Sequence, residues 1–165
     1  MRELRKPASA GLAGLVFLIL AGCSSVGGSS AGGGAGAACV NGSAPNKAYL
    51  VVQHQAGSTV QKCIGFSGAQ IAGDELMKDS GVKYATQHFA FGDAVCAIDS
   101  EPKTFDSCLP QGAPYWALWV AVKGGGWQQA QVAFSAVKLA PGDALGWRYT
   151  PQTESNPSPP PPAKK

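Results

Sequence analysis

The segment YWALWVAVK, Tyr115 to Lys123, alternates as an extended chain does, and it constrains the fold more than any other stretch. With a period of two, Trp116, Leu118, Val120 and Val122 lie on one face, and Tyr115, Ala117, Trp119 and Ala121 on the other. Both faces therefore carry an aromatic ring. A helix-covered core accommodates one of them, and the other needs a loop, a partner or a ligand over it. Tyr115 and Trp119 are thus candidates for a ligand platform, with Trp127 as a further ring and Gln128 and Gln129 as sources of amide contacts. Packing in the core and at the rim of a small sheet is the competing reading of these rings, and it is the preferred one for Trp116 and Trp147.

The neighbouring segments supply a sheet for this strand. Ala48–His54 (AYLVVQH) and Thr59–Phe66 (TVQKCIGF) flank an Ala-Gly-Ser turn and read as a hairpin. The period then changes. In SGAQIAGDELMKDSG, Asp74 and Glu75 suit a helix N-terminus, Leu76 and Met77 form an apolar patch, and Gly81 suits the stop, giving a helix of about two turns. KYATQHFAF and DAVCAID follow as short strands, WQQAQVAF continues the sheet after a glycine turn, and LGWRYT closes it. Gly142 and Gly146 are assigned to turn or bulge geometry, with Asp143 as a cap. The expected fold is α+β, a small mixed sheet with one short helix packed on it, and no internal repeat is present.

The ends of the chain are of different composition. RELRK is a positive n-region, and Ala8–Ala21 is an apolar run of about 14 residues, short of the roughly 20 that cross a bilayer, so a signal peptide fits residues 1–22 better than a membrane helix. Its end, Leu20-Ala21-Gly22-Cys23, resembles the lipobox of bacterial lipoproteins, in which small residues admit the peptidase and the cysteine thiol carries a diacylglyceryl group. That resemblance implies a chain beginning at Cys23 and anchored by two acyl chains at about 0.8 kcal/mol per buried CH₂ on the extracytoplasmic face of the cell membrane. Residues 23–46 form a Gly/Ser/Ala tether that buries too little apolar area to offset its entropy. Residues 152–165 are polar and proline-rich, and are expected as a disordered tail with a polyproline II run at Pro159–Pro162. The folded domain is expected at 47–151, about 100 residues, a usual single-domain size.

Charge argues against one class of partner. The net charge of +3 falls to about +1 after Cys23, where ten basic residues face nine acidic ones, and Lys and Arg are scattered singly. Nucleic acid is excluded as a partner.

An oxidising compartment turns Cys39, Cys63, Cys96 and Cys108 towards disulfides, an even set once Cys23 is assigned to lipid. Three pairings are open. The local solution closes CAIDSEPKTFDSC with Cys96–Cys108, worth about 3 kcal/mol by loop entropy, and leaves Cys39 with Cys63 to tie down the N-terminal edge. Zinc is disfavoured, because no Cys-x₂-Cys pair exists and His54 and His88 stand alone.

A series of segments between Lys62 and Tyr149 carries a second resemblance: KCIGFSGAQIAGDELMKDSG, GDAVCAID, a cysteine shortly before YWALW, GGGW, and APGDALGWRY. In this order they resemble the β-grasp-like C-terminal domain of transcobalamin and intrinsic factor, which also occurs in bacterial surface proteins. The resemblance implies a domain that covers one face of a cobalamin-like ligand, and the larger helical domain of that family is absent from this sequence. It requires no resident cofactor.

Catalysis finds little in the sequence. Ser67-Gly68 lacks the nucleophile-elbow pattern, disulfides remove the free thiols, and no carboxylates pair within an apolar run. The expectation is a lipid-anchored binding module that captures a cobalamin-like or other planar cofactor for a membrane transporter. The alternative is a surface module for protein interaction or adhesion, without a small-molecule ligand.

Overall fold

In the computed structural model, which describes residues 38–123 and 125–165, Tyr115–Ala121 of this stretch forms an interior strand of a sheet. Five strands build that sheet: β1 (Asn46–Gln53), β2 (Thr59–Phe66), β6 (Tyr115–Ala121), β7 (Trp127–Gln129) and β9 (Ala144–Thr150), in the order β2-β1-β9-β6-β7. The first and last strands lie side by side in parallel, Tyr49 opposite Ala144 and Gln53 opposite Arg148. Every other pairing in the sheet is antiparallel, so the sheet is mixed. Two small ladders complete the strands. β3 (Ile71–Ala72) pairs with β8 (Lys138–Leu139), and β4 (Tyr84–Phe89) forms a hairpin with β5 (Gly92–Ile98).

The helix α1, Gly73–Asp79, has the expected two turns. Asp74 and Glu75 occupy its first turn and Lys78 its last, in keeping with the helix dipole, and Leu76 and Met77 are fully buried. They meet the inner face of the sheet, where Leu50, Val52, Ile64, Trp116, Leu145 and Trp147 belong to one apolar cluster. The alternation in YWALWVAVK therefore has the anticipated sense, with Trp116 in the core and Leu118 and Val120 packed against it. Val122 lies past the end of β6 and is exposed.

The sheet does not continue through WQQAQVAF. Three residues pair with β6, after which the chain leaves the edge so that Phe134 can turn inwards, in a 3-10 turn (Phe134–Ala136), and set its ring edge-on to Trp147 and Tyr84. Burying one phenylalanine offsets the few ladder bonds forgone at a solvent-facing edge.

Both expected disulfides are present, Cys39–Cys63 and Cys96–Cys108. The first draws Val40 alongside β2, where its N–H donates to Cys63 O (2.9 Å) and its carbonyl accepts from Gly65 N–H (2.7 Å). The ordered domain thus begins before the expected boundary at 47. It also ends later. Residues 152–165, expected as a free disordered tail, are held on the outer face of the sheet by hydrogen bonds from Arg148 and Gln61. Asp143 caps as expected: Oδ1 accepts from Lys123 N–H and Oδ2 from Ala140 N–H, both at 2.8 Å. Cys23, the signal segment and most of the tether lie outside the described residues.

Candidate functional site

An apolar groove of ≈580 Å³ opens beside the core, between the β4–β5 hairpin and the segment Ala130–Phe134. The sequence builds it locally. Gly92 ends the hairpin turn at φ 115, and a Cβ there would fall 2.7 Å from Ala133 Cβ, so glycine lets the hairpin close onto that segment. The disulfide Cys96–Cys108 holds the loop after β5 against the same strand and brings Cys108 and Leu109 to the groove wall. Trp116, Leu118 and Trp147 line it from the sheet, and Phe134 from the 3-10 turn.

Two features of the groove bear on what it could hold. Its margin carries Phe91 and Val132, 60% and 56% exposed, together with Leu109, and exposed apolar residues clustered round a concavity are unusual on a monomer surface. Phe91 stacks on Phe89 with ring centroids 5.3 Å apart, which stiffens the hairpin tip. Trp147 is 3% exposed, and its indole N–H has no acceptor, an uncommon state for a buried donor. Polar contacts at the wall come from Gln131 and from Asp93, whose Oδ1 accepts a 2.8 Å bond from His88 Nδ1.

The residues that the sequence singled out as a platform are not in this groove, and the structure does not bring the four together. Trp119 lies on the opposite face of the sheet and is only 7% exposed. Trp127 shares that face: its ring sits over Gly146, the cross-strand neighbour of Trp119. Tyr115 is on the same face but at the far end of β6, where it lines a second cavity of ≈400 Å³ with Pro102, Phe105 and Tyr149. Gln128 pairs with Val120 and so points to the inner side. Tyr115, Trp119, Trp127 and Gln128 therefore form no single platform, and the Trp127 ring shares the space above Gly146 with Pro160 of the tail.

Sequence reasoning missed Phe91, Leu109 and Val132. Each lies in a connection, where no periodic pattern marks it, and only an apolar residue amid turn-forming neighbours could have signalled it.

His54 is half-buried and hydrogen-bonded. Its Nδ1–H donates to Glu101 Oε2 at 2.7 Å, its Nε2 lies 3.9 Å from Asp99, and its ring stands edge-on to Trp116, whose own N–H donates to Glu101 O at 2.8 Å. Burial, and then the Glu101 carboxylate, hold Tyr149 above the usual tyrosine pKa, and burial followed by Asp74 does the same for Tyr84. Among the described residues no three His, Cys, Asp or Glu side chains gather as a metal site, and no helix is long and apolar enough to cross a membrane.

No family model matches the chain, and no curated protein matches it. Among solved structures, a "putative metal binding protein" from Ruminococcus gnavus is similar with a TM-score of 0.48 and 10% identity, over 64% of this chain and 97% of the other.

Proposed function

We propose that the protein is an extracytoplasmic binding module, anchored to the membrane by lipid on Cys23, that captures a planar, largely apolar ligand of the cobalamin class and passes it to a membrane transporter. The observation that carries this reading is the groove itself: ≈580 Å³, floored by Trp116, Leu118 and Trp147, with a buried indole N–H that lacks an acceptor. That size falls within the usual range for small-molecule sites, about 300–1,000 Å³, and suits one edge of a macrocycle rather than the whole of it. A ligand oxygen would satisfy the Trp147 donor, whereas a purely apolar ligand would leave it unpaired. Strand order supports the transcobalamin-like, β-grasp reading. A small mixed sheet with one short helix packed on it is the arrangement that reading expects.

Tryptophan emission tests the ligand directly, since two of the four tryptophans line the groove. Cobalamin or haem should quench it saturably, and Phe91→Asp or Val132→Asp, both at exposed positions, should weaken the effect about tenfold while leaving the fold intact. No saturable change at high micromolar ligand would overturn this function. Cys23→Ser should abolish membrane retention or processing, and undiminished retention would overturn the anchor. The exposed Phe89–Phe91 stack favours a second reading, a surface module in which the hairpin tip is buried by a protein partner.

A further inference from the structure

The outer face of the sheet repeats one contact along the tail. Pro157, Pro160 and Ala163 stand three residues apart, the repeat of a polyproline II helix, and turn towards the protein, while Glu154 precedes them across a bend at Ser155 and Asn156. Pro157 and Pro160 are buried and Pro161 and Ala163 half-buried, whereas Ser158, Pro159 and Pro162 are exposed.

The surface beneath is built for such a helix. Gly146 leaves a notch at the centre of β9: a Cβ there would fall 2.7 Å from the Trp127 ring and 2.8 Å from Pro160 Cγ, so the ring and the proline share the space above it. Trp119 and Val51 flank the notch on the adjoining strands. At one end Arg148 grips Glu154 with both terminal nitrogens (3.2 and 3.4 Å) and donates to Ser158 O at 2.8 Å. At the other end Gln61 accepts from Lys164 N–H at 2.8 Å and donates to Pro162 O at 3.4 Å. A polyproline II chain has no internal hydrogen bonds, so its carbonyls are free to be read in this way. Aromatic walls, donors aimed at backbone carbonyls and a charge pocket beyond the prolines are together the means by which proline-rich segments are recognised.

We propose that the outer face is a recognition site for segments of the pattern Glu-x-x-Pro-x-x-Pro-x-x-Ala, and that the chain's own C-terminal tail is its resident ligand, one that excludes other proline-rich chains. The site lies on the opposite side of the sheet from the groove and is independent of what that groove binds. Tethering gives the tail a local concentration of about 1 mM or more, so a free peptide of the same sequence competes poorly with it.

The experiment uses the full chain. In the native protein the amides of Ser158, Ala163 and Lys164 should show rigid heteronuclear NOE values, and the peptide QTESNPSPPPPAKK should bind weakly. The variant Pro157→Asp/Pro160→Asp should free those amides and take the peptide saturably, with a shift in tryptophan emission and an affinity at least about tenfold above that of the native chain. A peptide carrying Glu154→Arg should bind several-fold less well to that variant and regain affinity when the protein also carries Arg148→Glu. Tail amides as mobile as an unfolded chain in the native protein would overturn the proposal. So would a variant of native amide dispersion that takes no peptide at roughly 1 mM, the concentration the tether imposes. A native chain that sediments as a dimer with the same amides rigid would overturn the assignment of the tail to its own domain.

Discussion

Removing the carboxylate of Asp143 should destabilise the domain about as much as opening one of its disulfides. The side chain is buried, 4% exposed, and each oxygen accepts one backbone N–H at 2.8 Å, from Lys123 at the end of β6 and from Ala140 in the preceding turn. Its backbone is also engaged, with Asp143 N–H donating to Ala140 O and Tyr49 N–H donating to Asp143 O. One residue thus ties the middle of β1, at Tyr49, to the turn that leaves β6, at Lys123, and to the start of β9. Hydrogen bonds to a charged group contribute about 1.5–3 kcal/mol each, and both donors here are only partly buried, so water can recover some of the loss in a variant. Asp143→Ala should therefore cost about 3 kcal/mol, and Asp143→Asn, which keeps one acceptor, about half of that. For a domain of this size the alanine change corresponds to a fall in Tm of about 10 °C. Urea denaturation followed by far-UV circular dichroism measures it, with the midpoint moving and the m-value unchanged. A loss below about 1 kcal/mol for Asp143→Ala, or equal losses for the two variants, would show that the carboxylate does not hold these strands.

The two disulfides should separate stability from binding. Cys39→Ser/Cys63→Ser, which opens a link of sequence separation 24, should cost about 3.5 kcal/mol by loop entropy and leave the groove unchanged. Cys96→Ser/Cys108→Ser, with separation 12, should cost slightly less, about 3 kcal/mol, yet weaken ligand capture, because Cys108 and Leu109 form the groove wall; denaturant midpoints and ligand titrations on both variants check the contrast. Tyr84 and Tyr149 have folded-state pKa values above their unfolded value of 10.0, so their contribution is complete below about pH 10 and is lost as pH rises through the folded values. Absorbance titration near 295 nm should find two of the four tyrosines ionising late, and Glu101→Gln should bring Tyr149 forward while leaving Tyr84 in place; a shift of both would refute the assignment.

Where the sequence was legible, period was the reason. Thr59–Phe66 and Tyr115–Ala121 alternate over seven or eight residues, and the two-turn helix has its acidic start and its glycine stop, so these elements were placed within a residue or two. Of the three disulfide pairings left open, the structure has the one that closes the shortest loop. The groove was less accessible, because its floor of Trp116 and Trp147 reads as ordinary core and its margin comes from three connections that meet only in the folded chain. Sequence distance hides such a site: Phe91, Leu109 and Val132 are each in a different loop, and no local rule relates them.

The tail marks a different limit. YWALW posed a question that the sequence stated correctly, namely what covers the second aromatic face, and the answer stood in the same chain some 40 residues further on. It was read as disorder because a polyproline II segment has no apolar period of 2 or 3.6, no internal hydrogen bonds and a composition shared with unstructured linkers. Its period is three, and only prolines and one glutamate carry it. Once a glycine such as Gly146 sits in the middle of an otherwise bulky strand face, the space above it must be filled by something narrow and apolar, and a proline at Pro160 fits where a branched side chain on Gly146 itself would not. A bare glycine between Trp119 and Val51, a half-buried arginine needing a partner, and Glu-x-x-Pro-x-x-Pro near the C-terminal end are therefore one signal distributed over three places. Each is unremarkable alone, and together they specify which face the tail must cover.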